Sequence, residues 1–560
     1  MTRPNLDSWL AGWRGPLLAA LLTLVAGLPG LLMLPPLDRD ESRYAQATSQ
    51  MLESGDYVDI RFQDKPQWRK PVGIYWMQAA AVGLTSSVEN RDIAPYRLPS
   101  LIGAMLAAAA CAWAGAALFG QRAGFLAGAI LGTCFLVSTE AGIAKTDAML
   151  CAAVTVSMAG LARIYMATRA GETPRRPHKF LFWAGLGLSI LVKGPIGVIV
   201  IAPAMILLSV WDRDVRWMRR LGWGWGLPLL ALIVGPWTVA ITIATDGAFW
   251  KESLWRGFGR VTGAVETQGG WPGLYAALAP LLLFPATLLV PAALSTGWHR
   301  RAEPAIRFLV CWLVPAWLIF EIAPAKQWDY VLPTFGAIAL LMAAAAARPI
   351  GTISRRVGAG LAVVAALAIC GTTVYALTLY GTSTAQTWAA VTILCTAAAG
   401  IGGAFVLLKR AAVAGLLTAI VFGILAHTAL AGTLRGLKPL SVSLRLEQAL
   451  EQAGLAPDQG LTPGPVAITT FHEPSFVFLT GQDTELTDAP GAAMALSEGR
   501  PAIVEARDAG AFRHAMAATG SVGRAVSTVT GHNYSTGEDV ALTVYAPQRP
   551  PAGTTVEPGR

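Results

Sequence analysis

Residues 97–119 read RLPSLIGAMLAAAACAWAGAALF, and Arg97 is the single charged residue in this run. A helix needs about 20 apolar residues to cross roughly 30 Å of hydrocarbon, because each residue advances it by about 1.5 Å. This run is long enough for one crossing. It therefore predicts a membrane-spanning helix.

Apolar runs of this kind recur along most of the chain. Of its 560 residues 54% are hydrophobic and 14% are charged, and the mean hydropathy of +0.50 is far above that of a soluble domain. By length, about thirteen runs qualify as spans, and Lys193-Gly194-Pro195 marks either a turn between two of them or a kink in one. The predicted spans are 15–34, 97–119, 123–139, 148–168, 180–192, 195–211, 222–244, 272–295, 306–323, 331–347, 357–379, 387–408 and 412–434. The predicted fold class is a polytopic α-helical membrane protein.

Basic residues indicate how the predicted spans are oriented. With the N-terminus in the cytoplasm, the short inner loops carry 17 Lys and Arg and the short outer loops carry 6. Cytoplasmic loops of membrane proteins are enriched in these residues. The first apolar run is longer than the core of a cleaved signal peptide, so we expect an uncleaved first helix. The pattern predicts a multi-pass membrane protein whose C-terminal part lies outside the cytoplasm.

Two segments outside the spans are too long to be plain connectors. The first long loop, 37–95, is rich in charged and aromatic residues, and its amphipathic stretch 41–53 predicts a helix at the membrane interface. After residue 435 the apolar runs stop, and a helical pattern occupies 444–453. Short strand-like runs follow at 465–470, 475–479, 501–505 and 540–545. We therefore expect a transmembrane domain over 1–435, which includes the first long loop, and a small α/β domain over 436–560 with a disordered Pro-rich end after Ala546.

The charge pattern argues against two other classes of protein. The net charge of +9 is dispersed among loops between apolar runs, so a nucleic-acid partner is not expected. A transporter or flippase for a lipid-linked glycan is the alternative of another class, but such proteins usually show internal repeats and ionisable residues at mid-membrane. Here the charged residues gather at the predicted outer ends of the spans. This distribution favours chemistry on one side of the membrane.

The residues at those outer ends suggest what the chemistry is. Each alone suits a snorkelling interface residue, but together they place acids and bases on one side. Transfer from a phosphate-linked donor needs cations to neutralise the departing phosphate and a carboxylate to orient or deprotonate the acceptor. The candidates are Asp40, Glu41, Lys70, Asp147, Arg256, Arg260, Lys326 and Tyr330.

The same residues carry a resemblance to a known family. The run Asp40-Glu41-Ser42-Arg43-Tyr44-Ala45, followed by Ser54-Gly55-Asp56, Lys70-Pro71 and Tyr75-Trp76, resembles the first outer loop of the bacterial aminoarabinose transferases that modify lipid A. More broadly, it resembles the protein O-mannosyltransferase superfamily. Further matches are Lys145-Thr146-Asp147, Lys193-Gly194-Pro195, Arg260-Val261-Thr262-Gly263, Lys326 with Tyr330 and Pro333, and His472-Glu473-Pro474-Ser475. The resemblance therefore spans nearly the whole chain.

The resemblance implies a GT-C fold and an inverting transfer from an undecaprenyl-phosphate sugar. It implies that lipid A or another cell-envelope molecule is the acceptor, with protein as an alternative, and that the chain lies in the bacterial inner membrane with a periplasmic C-terminal domain. We also expect a monomer among membrane lipids. Asp40 is expected at the reaction centre with Asp147 beside it, and Glu41 is expected to matter less. The residues expected to bind the donor phosphate are Lys70, Lys326, Tyr330 and either Arg256 or Arg260.

One position departs from the family's pattern. Aminoarabinose transferases of this type often have Glu-Lys-Pro where this chain has Arg69-Lys70-Pro71, and that Glu belongs to a divalent-metal site. A guanidinium cannot ligate a metal, but beside Lys70 it can help to neutralise the donor phosphate. Arg69 therefore joins the predicted phosphate-binding residues. We expect little dependence on a divalent cation and a neutral or acidic donor sugar, because a cationic aminosugar would be repelled.

Overall fold

The computed structural model describes residues 6–262, 269–457 and 464–548. Up to Gly436 the described chain is mainly helical. Its α-helices are Leu6–Trp9, Arg14–Met33, Asp40–Ser54, Gly73–Thr85, Ala94–Phe119, Gln121–Thr133, Phe135–Ala141, Asp147–Arg169, Arg176–Lys193, Ile196–Asp212, Trp223–Ala244, Ala248–Thr262, Leu274–Leu282, Val290–His299, Pro304–Ile322, Phe335–Ala346, Thr352–Tyr380, Ser383–Ala397, Gly403–Leu408 and Ala412–Gly436. Short 3₁₀ or π turns lie at Val88–Asn90, Arg216–Leu221, Ala286–Leu289, Leu332–Thr334 and Ala398–Gly402.

Most of the predicted spans coincide with long apolar helices. Within the described ranges, eight helices are long and apolar enough to cross a membrane, or ten if each of two bent helix pairs forms one span. The predicted span 123–139 is one such pair, bent by 62° where Cys134 has an extended backbone. The predicted span 272–295 is the other, and its halves are bent by 118°. The prediction of a polytopic helical membrane protein is confirmed, whereas about thirteen crossings stay a prediction.

Small residues bring two helices of the bundle together near the predicted site. The helices Ala94–Phe119 and Asp147–Arg169 touch at Gly103, where an added Cβ would lie 2.8 Å from the backbone nitrogen of Met149. Glycine at such a crossing lets two backbones approach closely in a membrane. The approach places the beginning of the second helix, and with it Asp147, beside the beginning of the first.

The first long loop starts with the helix that the sequence predicts. Helix Asp40–Ser54 begins with two acidic residues, which favour a helix N-terminus, and ends at Gly55, whose φ of 72° suits glycine. A hairpin of Arg61–Phe62 with Lys65–Pro66 follows, and the helix Gly73–Thr85 comes next. The predicted helix at 41–53 is thus confirmed, and its position at the membrane interface stays a prediction.

Beyond Gly436 a mixed five-stranded sheet forms the small α/β domain that the sequence predicts. Its order is Glu485–Thr487, Ala467–Thr469, Ala502–Glu505, Glu538–Gln548 and Val522–Asn533; the first three strands are parallel and the last two pair antiparallel. Its helices and turns are Lys438–Leu440, Val442–Gln452, Pro474–Thr480, Ala489–Ser497, Ala506–Asp508 and Ala509–Thr519. Residues 549–560, where the disordered end was predicted, lie outside the described part of the chain.

One predicted strand of this domain was wrong. Residues 475–479 belong to the helix Pro474–Thr480. A proline favours the first turn of a helix. Phe476, Val477 and Phe478 are all buried, so the run has neither the alternation of a strand nor the period of a surface helix.

The C-terminal domain packs on the first long loop. The ring of Phe478 lies 5.3 Å from that of Tyr96 and joins an apolar cluster that includes Ala45 of helix Asp40–Ser54. The side-chain amide of Gln63 donates a hydrogen bond of 2.7 Å to the carbonyl of Thr484. The domain therefore lies directly against the helix that carries Asp40.

Candidate active site

Asp40 is the first residue of its helix and lies at the edge of the bundle. Its side chain is 43% exposed, and its Oδ1 lies 3.9 Å from Nη1 of Arg69. An exposed ion pair of this length contributes little to stability. Lys70 follows Arg69 and is half-buried just before the helix Gly73–Thr85. The structure therefore brings Arg69, a predicted phosphate ligand, to Asp40.

Glu41, the next residue, is placed very differently. Its carboxylate is buried and receives two hydrogen bonds of 2.8 Å from the guanidinium of Arg97. The backbone N–H groups of Leu37 and Ala144 donate to it at 2.9 and 2.7 Å. Each oxygen thus accepts two hydrogen bonds, which fills its lone pairs. A catalytic role predicted for Glu41 would require one of these bonds to break.

Arg97 completes this arrangement, which we call the Glu41–Arg97 brace. Its Nη1 donates to the carbonyl of Leu34 at 2.7 Å and its Nη2 to that of Pro35 at 2.8 Å. These carbonyls follow the end of helix Arg14–Met33, where backbone acceptors lack partners within the helix. The brace ties that helix to the first long loop and to the segment before Asp147.

A second group of charges lies next to the brace, and we call it the buried charged cluster. Its members come from the end of one helix, the start of the next, the end of a third and the segment before Leu332. All are buried or nearly so. They are Glu140, Lys145, Asp147, Lys193 and Asp329.

Lys145 is the centre of the buried charged cluster. Its Nζ lies 3.1 Å from Asp329, 3.6 Å from Glu140 and 3.9 Å from Asp147. The ammonium of Lys193 donates a hydrogen bond to the other oxygen of Asp147. Burial lowers the pKa of Lys145, but the three carboxylates outweigh it and hold that pKa well above its usual range. Lys145 therefore stays charged.

The three carboxylates also have the geometry of a cation site. One oxygen from each of Glu140, Asp147 and Asp329 lies within 4.8 Å of the others, and oxygen ligands suit a hard divalent cation. The ammonium of Lys145 already lies among these oxygens, however, and supplies the positive charge there. This set of residues does not fit an added divalent cation.

Tyr44 links Asp40 to the buried charged cluster. It lies one turn after Asp40 in the same helix, and its ring is 5.4 Å from that of Tyr75. Burial raises the pKa of Tyr44 above its usual range, and the charges of Asp40 and Asp147 raise it further. Both predicted carboxylates therefore lie near one buried tyrosine.

The remaining predicted residues divide into two groups. Tyr330 joins the site, because Nζ of Lys193 lies 5.4 Å from the centre of its ring. Lys326 instead donates to the carbonyls of Phe320, Glu321 and Ala323 at 3.2, 2.6 and 3.0 Å, so all three of its donors cap the preceding helix.

Two predicted arginines belong to a helix near the site. Arg256 and Arg260 lie in helix Ala248–Thr262, and their side chains fall outside the described part. The choice between them as the phosphate ligand stays open.

Sequence reasoning assigned no role to Glu140, Lys193 or Asp329, or to Arg97. A signal existed for three of them. Arg97 begins a predicted span, Glu140 and Lys193 each directly follow one, and an ionisable residue in that position is expensive unless it is used. Asp329 lies between spans and carries no such signal.

Part of the chain matches a known protein family in sequence. Residues 37–251 match the family of dolichyl-phosphate-mannose-protein mannosyltransferases, and this part holds Asp40 and most of the buried charged cluster. The undecaprenyl phosphate-alpha-4-amino-4-deoxy-L-arabinose arabinosyl transferase of Pseudomonas paraeruginosa is 29% identical over 326 residues, which are 56% of this chain and 57% of that one. The transferase of the same name from Erwinia tasmaniensis is 28% identical over 345 residues, 59% and 60% of the two chains. The chain thus matches less than two thirds of the length of these relatives.

The fold match extends further than the sequence match. ArnT from Cupriavidus metallidurans bound to undecaprenyl phosphate superposes with a TM-score of 0.75 at 20% identity, covering 98% of this chain and 100% of that one. Its apo state gives a TM-score of 0.73 at 18% identity, covering 94% and 97%. The chain is therefore a multi-pass membrane protein with the GT-C fold. The predicted resemblance to the aminoarabinose transferases is confirmed by sequence and by fold.

Proposed function

We propose that this protein is an inverting glycosyltransferase that moves a sugar from undecaprenyl phosphate to lipid A or another cell-envelope acceptor. The observation that carries the proposal is the position of Asp40, whose side chain is 43% exposed and lies 3.9 Å from the guanidinium of Arg69. The relatives reported above support the same class of donor.

The proposed reaction is a direct displacement at the anomeric carbon. Lys70, Arg69 and Tyr330, with Arg256 or Arg260, hold the donor phosphate as it leaves, because charge-assisted hydrogen bonds stabilise the negative charge that develops there. Asp40 approaches the acceptor from the opposite face. It is the general base when the acceptor is a hydroxyl, and it orients the acceptor when that group is an anionic phosphate.

The buried charged cluster has a supporting part in this proposal. Asp147 is held between Lys193 and Lys145, so its carboxylate is fixed in position. Lys193 also lies against Tyr330, which connects the cluster to the proposed phosphate ligands. With the predicted boundary at 435, Asp40 belongs to the transmembrane domain, and the C-terminal domain contacts the helix that carries it.

The proposed orientation puts this site on the periplasmic side, with the N-terminus in the cytoplasm. A reporter phosphatase fused after Ala546 should then be active, and one fused near Arg175 should be inactive. The reason is that this phosphatase matures only outside the cytoplasm. The opposite pattern would place the site on the wrong side for an envelope acceptor.

Mass spectrometry of lipid A and envelope glycans tests the proposed acceptor. A strain that lacks this protein should lose one sugar from lipid A or another envelope molecule, and the wild-type chain should restore it. A chain with Asp40→Asn should not restore it. Identical glycan profiles in all strains would contradict the proposal.

A further inference from the structure

The residue before Asp40 has an unusual backbone. Arg39 has a φ of 64° and a ψ of −114°, a region that residues with a side chain rarely adopt. Such a conformation persists only where its surroundings hold it, and it often lies at a functional site. Since Arg39 directly precedes the helix of Asp40, its backbone sets the direction in which that helix and the Asp40 carboxylate point.

Contacts from the C-terminal domain hold this segment at Asp38 and at the side chain of Arg39. The backbone N–H of Asp38 donates to the hydroxyl of Tyr534 at 2.7 Å. The guanidinium of Arg39 donates to the carbonyl of Ser535. Both acceptors belong to residues 534–537, which join the two longest strands of the domain and which we call the docking turn.

A third contact comes from another element of the same domain. Ser475, in helix Pro474–Thr480, donates its hydroxyl to the carboxylate of Asp38. Ser475 also lies 2.6 Å from the hydroxyl of Ser443, which belongs to the helix Val442–Gln452. The hold on Asp38 therefore rests on helices that are themselves part of the domain core.

The docking turn is firmly built. The backbone N–H of Ser535 donates to the side-chain oxygen of Asn533 at 2.9 Å, and the amide of Asn533 donates to Glu473 at 2.9 Å. The N–H of Gly537 closes the turn on the carbonyl of Asn533 at 2.8 Å. A turn with these internal bonds can impose a conformation on the loop that it contacts.

We infer that the docking turn and Ser475 form a clamp that holds Arg39 in this conformation and thereby positions Asp40 for the reaction. Tyr534 is then a positioning residue, because it acts on Asp40 through the backbone of Asp38. The C-terminal domain thereby supports the active site. This inference rests on the proposed function only in taking Asp40 as the residue that contacts the acceptor.

Transfer kinetics of the purified full chain test the clamp, with a sugar-loaded undecaprenyl phosphate as donor. Tyr534→Phe keeps the ring and removes the hydroxyl that accepts from Asp38. We expect kcat to fall about five- to tenfold and the donor KM to stay within about twofold, since the lost bond positions the base and does not touch the donor. The matched control is Tyr545→Phe, which removes a hydroxyl from a ring that packs on Phe512 inside the domain and should leave kcat unchanged.

A rescue variant separates positioning from general loss of structure. Glycine adopts the backbone of residue 39 without strain, so the clamp is less needed in Arg39→Gly. Adding Tyr534→Phe to Arg39→Gly should lower kcat by less than about twofold, a coupling that independent structural damage would not produce. Equal losses in both backgrounds would overturn the inference.

A second readout does not depend on transfer. In a Cys370→Ala background, which removes the half-buried native cysteine, the thiol of Asp40→Cys can be alkylated. Tyr534→Phe should change its alkylation rate by at least about threefold, because the lost hydrogen bond frees the start of the helix. An unchanged rate would overturn the clamp, and a changed rate with wild-type kcat would overturn its catalytic role. If even the wild-type chain transfers no sugar, the proposed function fails while the alkylation rate still decides the clamp.

Discussion

The Glu41–Arg97 brace and the buried charged cluster adjoin at residues 144 and 145, yet they differ in how completely their charges are satisfied. Each oxygen of Glu41 accepts two hydrogen bonds. In contrast, neither oxygen of Glu140 accepts one within the described residues, and Lys145 is shared among three carboxylates. The two networks are therefore buried to a similar degree, but their carboxylates differ in how many hydrogen bonds they accept.

The difference separates structural charges from functional ones. A buried ion pair whose hydrogen bonds are complete holds elements together, and losing one partner leaves an uncompensated charge. Buried polar groups that lack partners are rare and usually have a use. We therefore infer that the brace stabilises the fold and that the cluster takes part in the reaction.

The largest expected effect comes from Glu41→Gln. The amide cannot accept all four hydrogen bonds and leaves Arg97 charged and buried, so we expect a loss of about 3–5 kcal/mol in the free energy of unfolding. Thermal unfolding in detergent measures it, together with the yield of folded protein. An unchanged melting temperature would show that the brace does not stabilise the bundle.

Glu140→Gln is the matched change in the cluster. It should alter stability by less than about 1 kcal/mol, because the amide loses no hydrogen bond within the described residues and removes an excess negative charge. Transfer activity should nevertheless fall by roughly tenfold, since Lys145 loses one of the carboxylates that hold it. A large loss of stability with full specific activity would reverse the assignment of the two networks.

Arg69→Glu tests the role of Arg69 in donor binding, and its expected effect on activity is smaller. Its guanidinium faces Asp40 at 3.9 Å, and reversing its charge should raise the donor KM by roughly fivefold, a modest figure because the pair is exposed to water. Arg69→Lys is the control that keeps the charge. EDTA should leave most of the wild-type activity, and better transfer of a cationic aminosugar than of a neutral sugar would contradict the role given to Arg69.

The smallest expected effect is a pH dependence at Asp38. Burial, with a contribution from Glu473, raises the pKa of Asp38 from 3.8 to about 7, although Ser475, Tyr534 and Arg39 lower it. The folded state then holds a proton that the unfolded state releases, so this contribution to stability is present below about pH 4 and is lost as the pH rises to about 7. Asp38→Asn should flatten that part of the profile of melting temperature against pH. An identical slope in both proteins would show that Asp38 does not titrate there.

The fold could be predicted from the sequence wherever the length of an apolar run indicated a membrane-spanning helix. Apolar runs of about 20 residues gave the helices of the bundle, and the acidic start at Asp40 gave the first helix of the loop. The bend at Cys134 could not be predicted, because the run 123–139 is apolar on both sides of it. The helix Pro474–Thr480 was missed because its apolar residues are buried on every side.

Part of the site could also be predicted, from the positions of charged residues relative to the predicted spans. Asp40 and Asp147 could be selected because they lie near the ends of predicted spans, and the family resemblance favoured Asp40 over Glu41. The packing of Arg97 against Glu41 supplies the physical reason for that difference. The partners of Asp147 come from segments far apart in the chain, such as Lys193 and Asp329, and their meeting depends on how the helices cross.

The most direct test of the central claim is transfer by the purified chain, compared between the wild type and Asp40→Asn. A radiolabelled sugar on undecaprenyl phosphate is supplied with lipid A, and the label that moves to lipid A is measured without any ion gradient. The wild type should transfer the sugar, and Asp40→Asn should be slower by about a hundredfold or more while it stays folded, because the amide cannot act as a base or carry the charge. Transfer at the wild-type rate by Asp40→Asn would remove Asp40 from the reaction, and no transfer by the wild-type chain would contradict the proposed function.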